Sequence, residues 1–307
     1  MSTARSSTLD SAFTLSHFRR SARAGEKLAM LTAYDYTTAK LLARSGVKLL
    51  LAGDSAANVI LGHPSTLPAP LDFMIEITAA VKRAAPNALV MADMPFGSFA
   101  TLSSGVRNVV RMVKLSGCDC VKLEATRGHI GLVQALADNG VAAFAHLGLM
   151  PQSVGILGGY RAQGRTAIDA MQLADLATDF VNAGAAGILL EAVPPPAAEL
   201  VVKQVNFVDP ADDPTGEKFV PVIGCGAGPA CHAHVVVTHD LLGLSDRQPR
   251  FAPPMVDAAS VVANGAQKFV QAIATGKYPA KNHCYEMPAS ELKELKKQAA
   301  EFGVKIG

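Results

Sequence analysis

Short apolar runs alternate with helically spaced stretches from residue 27 to residue 242, and several of the helical stretches stop at glycine. The runs are 27–35, 47–55, 88–95, 120–125, 142–149, 186–193, 220–228 and 233–242. Gly46, Gly117, Gly140 and Gly184 close helical patterns just before the next run, and Gly25 closes a lead-in helix. Glycine is the expected stop there, because it takes the left-handed conformation without a steric penalty. Strand and helix in alternation imply parallel strands joined by right-handed crossovers. Eight such units in 307 residues predict an α/β protein with a (β/α)8 barrel. A doubly wound sheet is the structural alternative, and no Gly-x-Gly-x-x-Gly fingerprint supports it.

Residues 14–307 read as a single domain, with two further helical patterns, "VVANGAQKFVQAIATG" and "SELKELKKQAAEFG", expected as an extension outside the barrel. The Ser-rich residues 1–13 read as a disordered leader. With Arg19, Arg20 and Arg23 behind it, that leader has some of the composition of a transit peptide, but Asp10 and the lack of an apolar face argue against one.

Half of the residues are hydrophobic and the net charge is +2, so the chain can bury a large core and shows no basic footprint for nucleic acid. No apolar run reaches the length of a membrane span. Five cysteines at irregular spacing predict reduced thiols in a cytoplasm.

The runs end on charge. Strand 2 closes with Asp54 and Ser55, strand 3 carries Asp93, strand 4 carries Lys122 and Glu124, strand 5 His146 and strand 6 Glu191. In a parallel barrel all strand C-termini open on one face, where active sites are built. Lys122 and Glu124 are two apart, so they share a face. Any of these alone has an ordinary explanation as a cap, a core histidine or an ion pair. Together they would bury more charge than a fold tolerates unless it is paired or holds a cation. Oxygen donors favour a hard cation, Mg2+ first.

Asp35 and Asp240 also follow strands, but helix capping accounts for them. "GCGAG" (224–228) is a weak phosphate signal. Cys225, Cys231, His232 and His234 match no closed zinc pattern. Cys118 and Cys120 flank a strand start, so at most one is expected to face the core.

The stretches "LTAYDY", "GDS", "LGHPSTLP", "ADMPF", "VKLE", "HLGLMPQSV", "GGYRAQGR", "GCGAG" and "HDLLGL" resemble the ketopantoate hydroxymethyltransferase family, in the family's order, over about residues 14 to 288. The resemblance implies a (β/α)8 barrel assembled as a homodecamer of two five-membered rings. It implies transfer of a hydroxymethyl group from 5,10-methylenetetrahydrofolate to 3-methyl-2-oxobutanoate, giving ketopantoate for pantothenate biosynthesis.

Carried onto this chain, the family pattern makes Asp54 and Asp93 direct Mg2+ ligands and Glu124 a ligand through water. The metal would chelate the keto acid, Ser55 and Lys122 would hold its carboxylate, and His146 would contact the bound acid or its enolate. Glu191 would be the base at C3.

Departures surround these positions. The family's "GDSLGM" reads "GDSAAN" here, "VKLEGG" reads "VKLEAT", and "GIGAG" with "CDGQ" reads "GCGAG" with "CHAH". An insertion-like segment lies at 208–219. Two alternatives stay open: a metal-dependent aldolase or carbon–carbon lyase on another 2-oxo acid, and a catalytically silent assembly paralogue.

Overall fold

The computed structural model describes residues 12–207, 213, 215 and 218–307. The expectation for the leader therefore lies almost wholly outside the described residues, as does much of the 208–219 segment. The chain divides into two compact units, Met1–Met255 and Val256–Gly307.

In the first unit, helix α1 (Leu15–Arg23) leads into β1 (Leu28–Thr32), α2 (Tyr36–Arg44), β2 (Leu49–Ala52), the short α3 (Ala56–Val59), α4 (Leu71–Ala84) and β3 (Leu89–Asp93). There follow α5 (Leu102–Ser116), β4 (Cys120–Glu124), α6 (Ile130–Asp138), β5 (Ala143–Gly148), the short α7 (Val154–Leu157), α8 (Ala167–Asn182) and β6 (Gly187–Glu191). The unit closes with α9 (Pro195–Val205), β7 (Val222–Cys225), β8 (Ala233–Val236) and the short α10 (Thr238–Leu241). The eight strands form a closed barrel in sequence order, and every pairing is parallel, β8 joining β1. This is the predicted (β/α)8 architecture.

The glycine stops hold: Gly25, Gly46, Gly117, Gly140 and Gly184 all have φ between 70° and 90°. The eighth unit departs from expectation. β8 ends at Val236, and the "THDL" read as strand is α10. Thr238 turns the chain there: its N–H donates to Thr32 Oγ1 and its hydroxyl to the Thr32 carbonyl. No helix joins β7 to β8.

Alternation along the strands separates two cores. Met30, Leu51, Met91, Phe144, Leu189 and Val235 point into the lumen, which Phe18 and Ala22 of α1 close from the N-terminal side. Val121, Leu123, Ala145, Ile188 and Leu190 point outward against the helices. Cys118 and Cys120 are both buried, in the outer and the lumen core respectively. The expectation of at most one core-facing thiol is corrected, because the layers on either side of the sheet are both dry.

Phe144 fills the lumen beside Gly187, where a Cβ would sit 2.1 Å from the ring. Gly187→Ala is therefore expected to overpack the barrel at a cost of about 1–3 kcal/mol. Thermal unfolding checks this, and an unchanged midpoint would mean the ring moves freely.

The second unit holds α11 (Ala258–Ala274), N-capped by Asp257, and α12 (Ala289–Glu301). Both were legible as helical patterns. Among the described residues no helix is long and apolar enough to cross a membrane, and all five cysteines are free.

Candidate active site

Register brings the charged residues together. Asp93 is the cross-strand partner of Lys122, Glu124 of His146, and Glu191 of both Gly148 and Cys225. All lie on lumen-facing positions, at the C-terminal end where the apolar stack stops. Asp54 and Ser55 follow β2 directly.

Lys122 is buried at the centre. Its Nζ lies 2.8 Å from Asp93 Oδ2 and 3.1 Å from His146 Nδ1. Burial alone would lower its pKa, but Asp93, Asp54 and Glu124 outweigh that and hold it above its usual range. An ammonium only donates, so His146 Nδ1 accepts and the ring proton sits on Nε2. That nitrogen faces Glu191 Oε2 at 3.5 Å. Burial, with Lys122 nearby, keeps the imidazole well below its normal pKa and hence neutral.

The carboxylates are pushed the other way. Burial, then Asp54, raises Asp93 to about 8 against the pull of Lys122. Burial raises Glu124 to about 9, with Lys122 opposing and Asp54 and Asp93 adding. Burial raises Glu191 to about 7, Lys122 again opposing. Glu191 keeps 19% of its side-chain surface exposed, and it lines the cavity.

The backbone around Glu191 is locked. Its carbonyl accepts from Leu149 N–H, and Ala192 N–H donates to the Cys225 carbonyl. Ala192 is the sole non-glycine residue among those described with positive φ, at 48°, a strained turn immediately after the acid. Gly148 is required beside it: a Cβ there would meet the Glu191 carbonyl at 2.4 Å.

Gln152 ties the acids and was not singled out in the sequence. Its side-chain amide donates to Asp54 Oδ2 at 2.8 Å and to the Met94 carbonyl, while its backbone N–H donates to the Glu124 carboxylate at 2.9 Å. It sits in a 3-10 turn after β5, where no periodicity marks it. Ser55 Oγ shares a 2.8 Å hydrogen bond with the Tyr34 hydroxyl.

Asp54, Ser55, Asp93 and Glu191 line a cavity of about 470 Å3 walled by Leu149, Leu189 and Val235, while Lys122, Glu124, His146 and Gln152 are buried behind that lining. A wider cleft, about 910 Å3, lies at the other end of the barrel beside α1 and α2, but Glu26 is its sole lining carboxylate.

Asp35 does cap α2, accepting from Thr38 N–H. Asp240 does not cap a helix: it is the third residue of α10, buried, and lines the cavity. The capping explanation is corrected, since α10 begins at Thr238 and leaves the carboxylate past the cap position. His232 Nδ1 accepts from Val222 N–H, a structural use, and Cys225 and Cys231 lie in different surroundings. Of the departures near the acids, Ala56, Ala57 and Ala125 are buried, and Asn58 binds the His63 carbonyl.

Among the described residues no three His, Cys, Asp or Glu side chains gather round one metal-sized point. Gln152 engages Asp54 and Glu124, and Lys122 engages Asp93. The donors nevertheless suit a hard cation. All are carboxylate oxygens, they outnumber the buried ammonium beside them, and Asp93 Oδ1 is buried without a hydrogen-bond partner.

Fold and site thus define a (β/α)8-barrel enzyme whose mouth gathers acids, a lysine and a neutral histidine. The ketopantoate hydroxymethyltransferase family model matches residues 12–281, and the chain belongs to that family. A 3-methyl-2-oxobutanoate hydroxymethyltransferase of Clostridium novyi is 37% identical over 284 residues, covering 92% of this chain and 98% of the relative. One from Thermobifida fusca is 40% identical over 262 residues, 85% of this chain and 89% of the relative.

Among solved structures, a phosphoenolpyruvate phosphomutase from Streptomyces platensis subsp. rosaceus matches at TM-score 0.57 and 13% identity, covering 95% of this chain and 100% of that one. A 2,3-dimethylmalate lyase of the PEP mutase/isocitrate lyase superfamily matches at TM-score 0.56 and 14% identity, over 93% and 99%. At that identity the likeness is one of fold.

Proposed function

We propose that the protein transfers a hydroxymethyl group from 5,10-methylenetetrahydrofolate to 3-methyl-2-oxobutanoate, giving ketopantoate and tetrahydrofolate. The observation that carries this is Glu191: an acid with pKa raised to about 7, open to the cavity and held on a locked backbone beside a neutral imidazole and a buried lysine. A base for a carbon acid works best with a pKa near the working pH.

In this reading Ser55 and Lys122 hold the substrate carboxylate, and Glu191 takes the proton from C3. Lys122 places positive charge where the enolate develops, in a site that excludes bulk water. His146, fixed by Lys122 at Nδ1, offers Nε2–H to the carboxylate that has just accepted or released the proton. Asp54 and Asp93 would hold Mg2+ directly and Glu124 through water. When bound, the cation supplies Lewis-acid stabilisation of charge on the keto oxygen. The enolate carbon then bonds to the folate's methylene carbon, the bonds from that carbon to the two folate nitrogens break, and one water supplies the hydroxyl oxygen, leaving ketopantoate and tetrahydrofolate.

The same reading carries the family's implied setting, a homodecamer in the cytoplasm; light scattering of the purified protein gives the assembly mass.

Product analysis by mass spectrometry tests the function. Ketopantoate should form from the keto acid only with methylenetetrahydrofolate and Mg2+. Equal turnover with free aldehyde and no folate would instead identify an aldolase. The pH dependence has a defined sign. Glu191 must be ionised to accept a proton, so proton removal should rise about tenfold per pH unit below about 7 and level off above it. A rate that falls across that range would exclude Glu191 as base.

A further inference from the structure

The keto acid accounts for one side of the cavity. Asp54, Ser55, Asp93 and Glu191 line it there, and a further part of the lining comes from the corner after β8: Val237, Asp240, Arg250 and Phe251. A five-carbon acid fills a minor part of about 470 Å3, so a second, larger molecule has room beside it.

That further part has its own chemistry. Asp240 is a buried carboxylate, 7% exposed, on a turn fixed by the Thr238–Thr32 hydrogen bonds. Burial raises its pKa, with Ser245 and His239 opposing, and the residue lines the cavity. It touches none of Lys122, His146 or Glu191 through any hydrogen bond or ion pair described for the site. Phe251 packs its ring on Gly226, where a Cβ would lie 2.7 Å from the ring, and remains 41% exposed. Arg250 belongs to the same part of the lining and is exposed.

We infer that Asp240 binds the 2-amino-4-oxopyrimidine edge of the folate's pterin ring. This rests on the transfer reading above. That edge carries a ring N–H and an amino group side by side, two donors pointing the same way. A carboxylate accepts both in a bidentate, charge-assisted pair. Phe251 gives the flat heterocycle an aromatic neighbour, and Arg250 supplies a cation for the anionic glutamate tail. Asp240 and Glu191 line one cavity, so pterin and enolate would share it.

The test is calorimetric titration of the full chain with tetrahydrofolate and with its 2-desamino analogue, for wild type and Asp240→Asn, alongside deuterium exchange at C3 of the keto acid. Wild type should bind the analogue at least about tenfold more weakly than tetrahydrofolate, the size expected for a hydrogen bond to a charged group. Asp240→Asn should bind both with the same weakened affinity, while exchange, which uses no folate, continues.

Wild-type folate affinity in Asp240→Asn would overturn the assignment alone. Loss of exchange together with binding would make Asp240 structural and also overturn it. A wild-type protein that binds no tetrahydrofolate would overturn the transfer reading and the assignment with it.

Discussion

Glu191→Gln is expected to slow proton removal from C3 by about 10²–10⁴-fold, the range by which a positioned base contributes, while the keto acid still binds. The amide keeps the shape of the acid and its place on the locked turn between Leu149 and Cys225, so the fold is not at stake. It cannot accept a proton at any working pH. The rise in rate through about pH 7 should vanish with it, because Glu191 is the group held there by burial. Isotope exchange by NMR reads the rate, and keto acid titration reads the binding. A variant that exchanges at the wild-type rate would move the base elsewhere, to a neighbour such as His146, 3.5 Å away.

Lys122→Met should have the larger effect on stability. The ammonium is buried against Asp93 at 2.8 Å, and Asp54 and Glu124 also act on it. Where those acids are ionised, removing the ammonium leaves uncompensated buried charge, at a cost of about 3–5 kcal/mol.

The pH dependence separates this from simple loss of packing. Asp93 and Glu124 already have folded-state pKa values of about 8 and about 9, above ordinary carboxylates, and Lys122 holds both down. Without it they rise further, so the folded variant binds more protons than the unfolded chain. Its stability should therefore fall as pH rises toward and past that range, and recover on acidification, where both acids are neutral. Denaturant unfolding at several pH values measures this. A deficit independent of pH would show that the methylene stem of Lys122, not its charge, matters.

Much of this is legible in the sequence. The barrel follows from eight apolar runs and from glycines such as Gly117 and Gly184, whose backbone geometry few other residues accept. The acids at the mouth follow from strand parity: Lys122 and Glu124 share a face because they are two apart, and β3 and β5 deliver Asp93 and His146 beside them.

What stayed hidden depends on chain reversals and tertiary contacts. Gln152 reads as an unremarkable polar residue in a loop, and only the turn after β5 brings its amide to Asp54 and its backbone to Glu124. Asp240 reads as a cap because an aspartate beside a helix usually is one. The Thr238–Thr32 link starts the helix two residues earlier and leaves Asp240 past the cap position, lining the cavity. The strain at Ala192 has no signature at all in an alanine.

The central claim is that the mouth of the barrel makes an enolate from a 2-oxo acid. Deuterium incorporation at C3 of 3-methyl-2-oxobutanoate in heavy water, with enzyme and Mg2+ but no folate, tests it most directly. Enzyme-dependent exchange that requires Mg2+ and rises with pH through about 7 is the predicted result. No exchange above the enzyme-free rate, in protein that binds the keto acid, would contradict it.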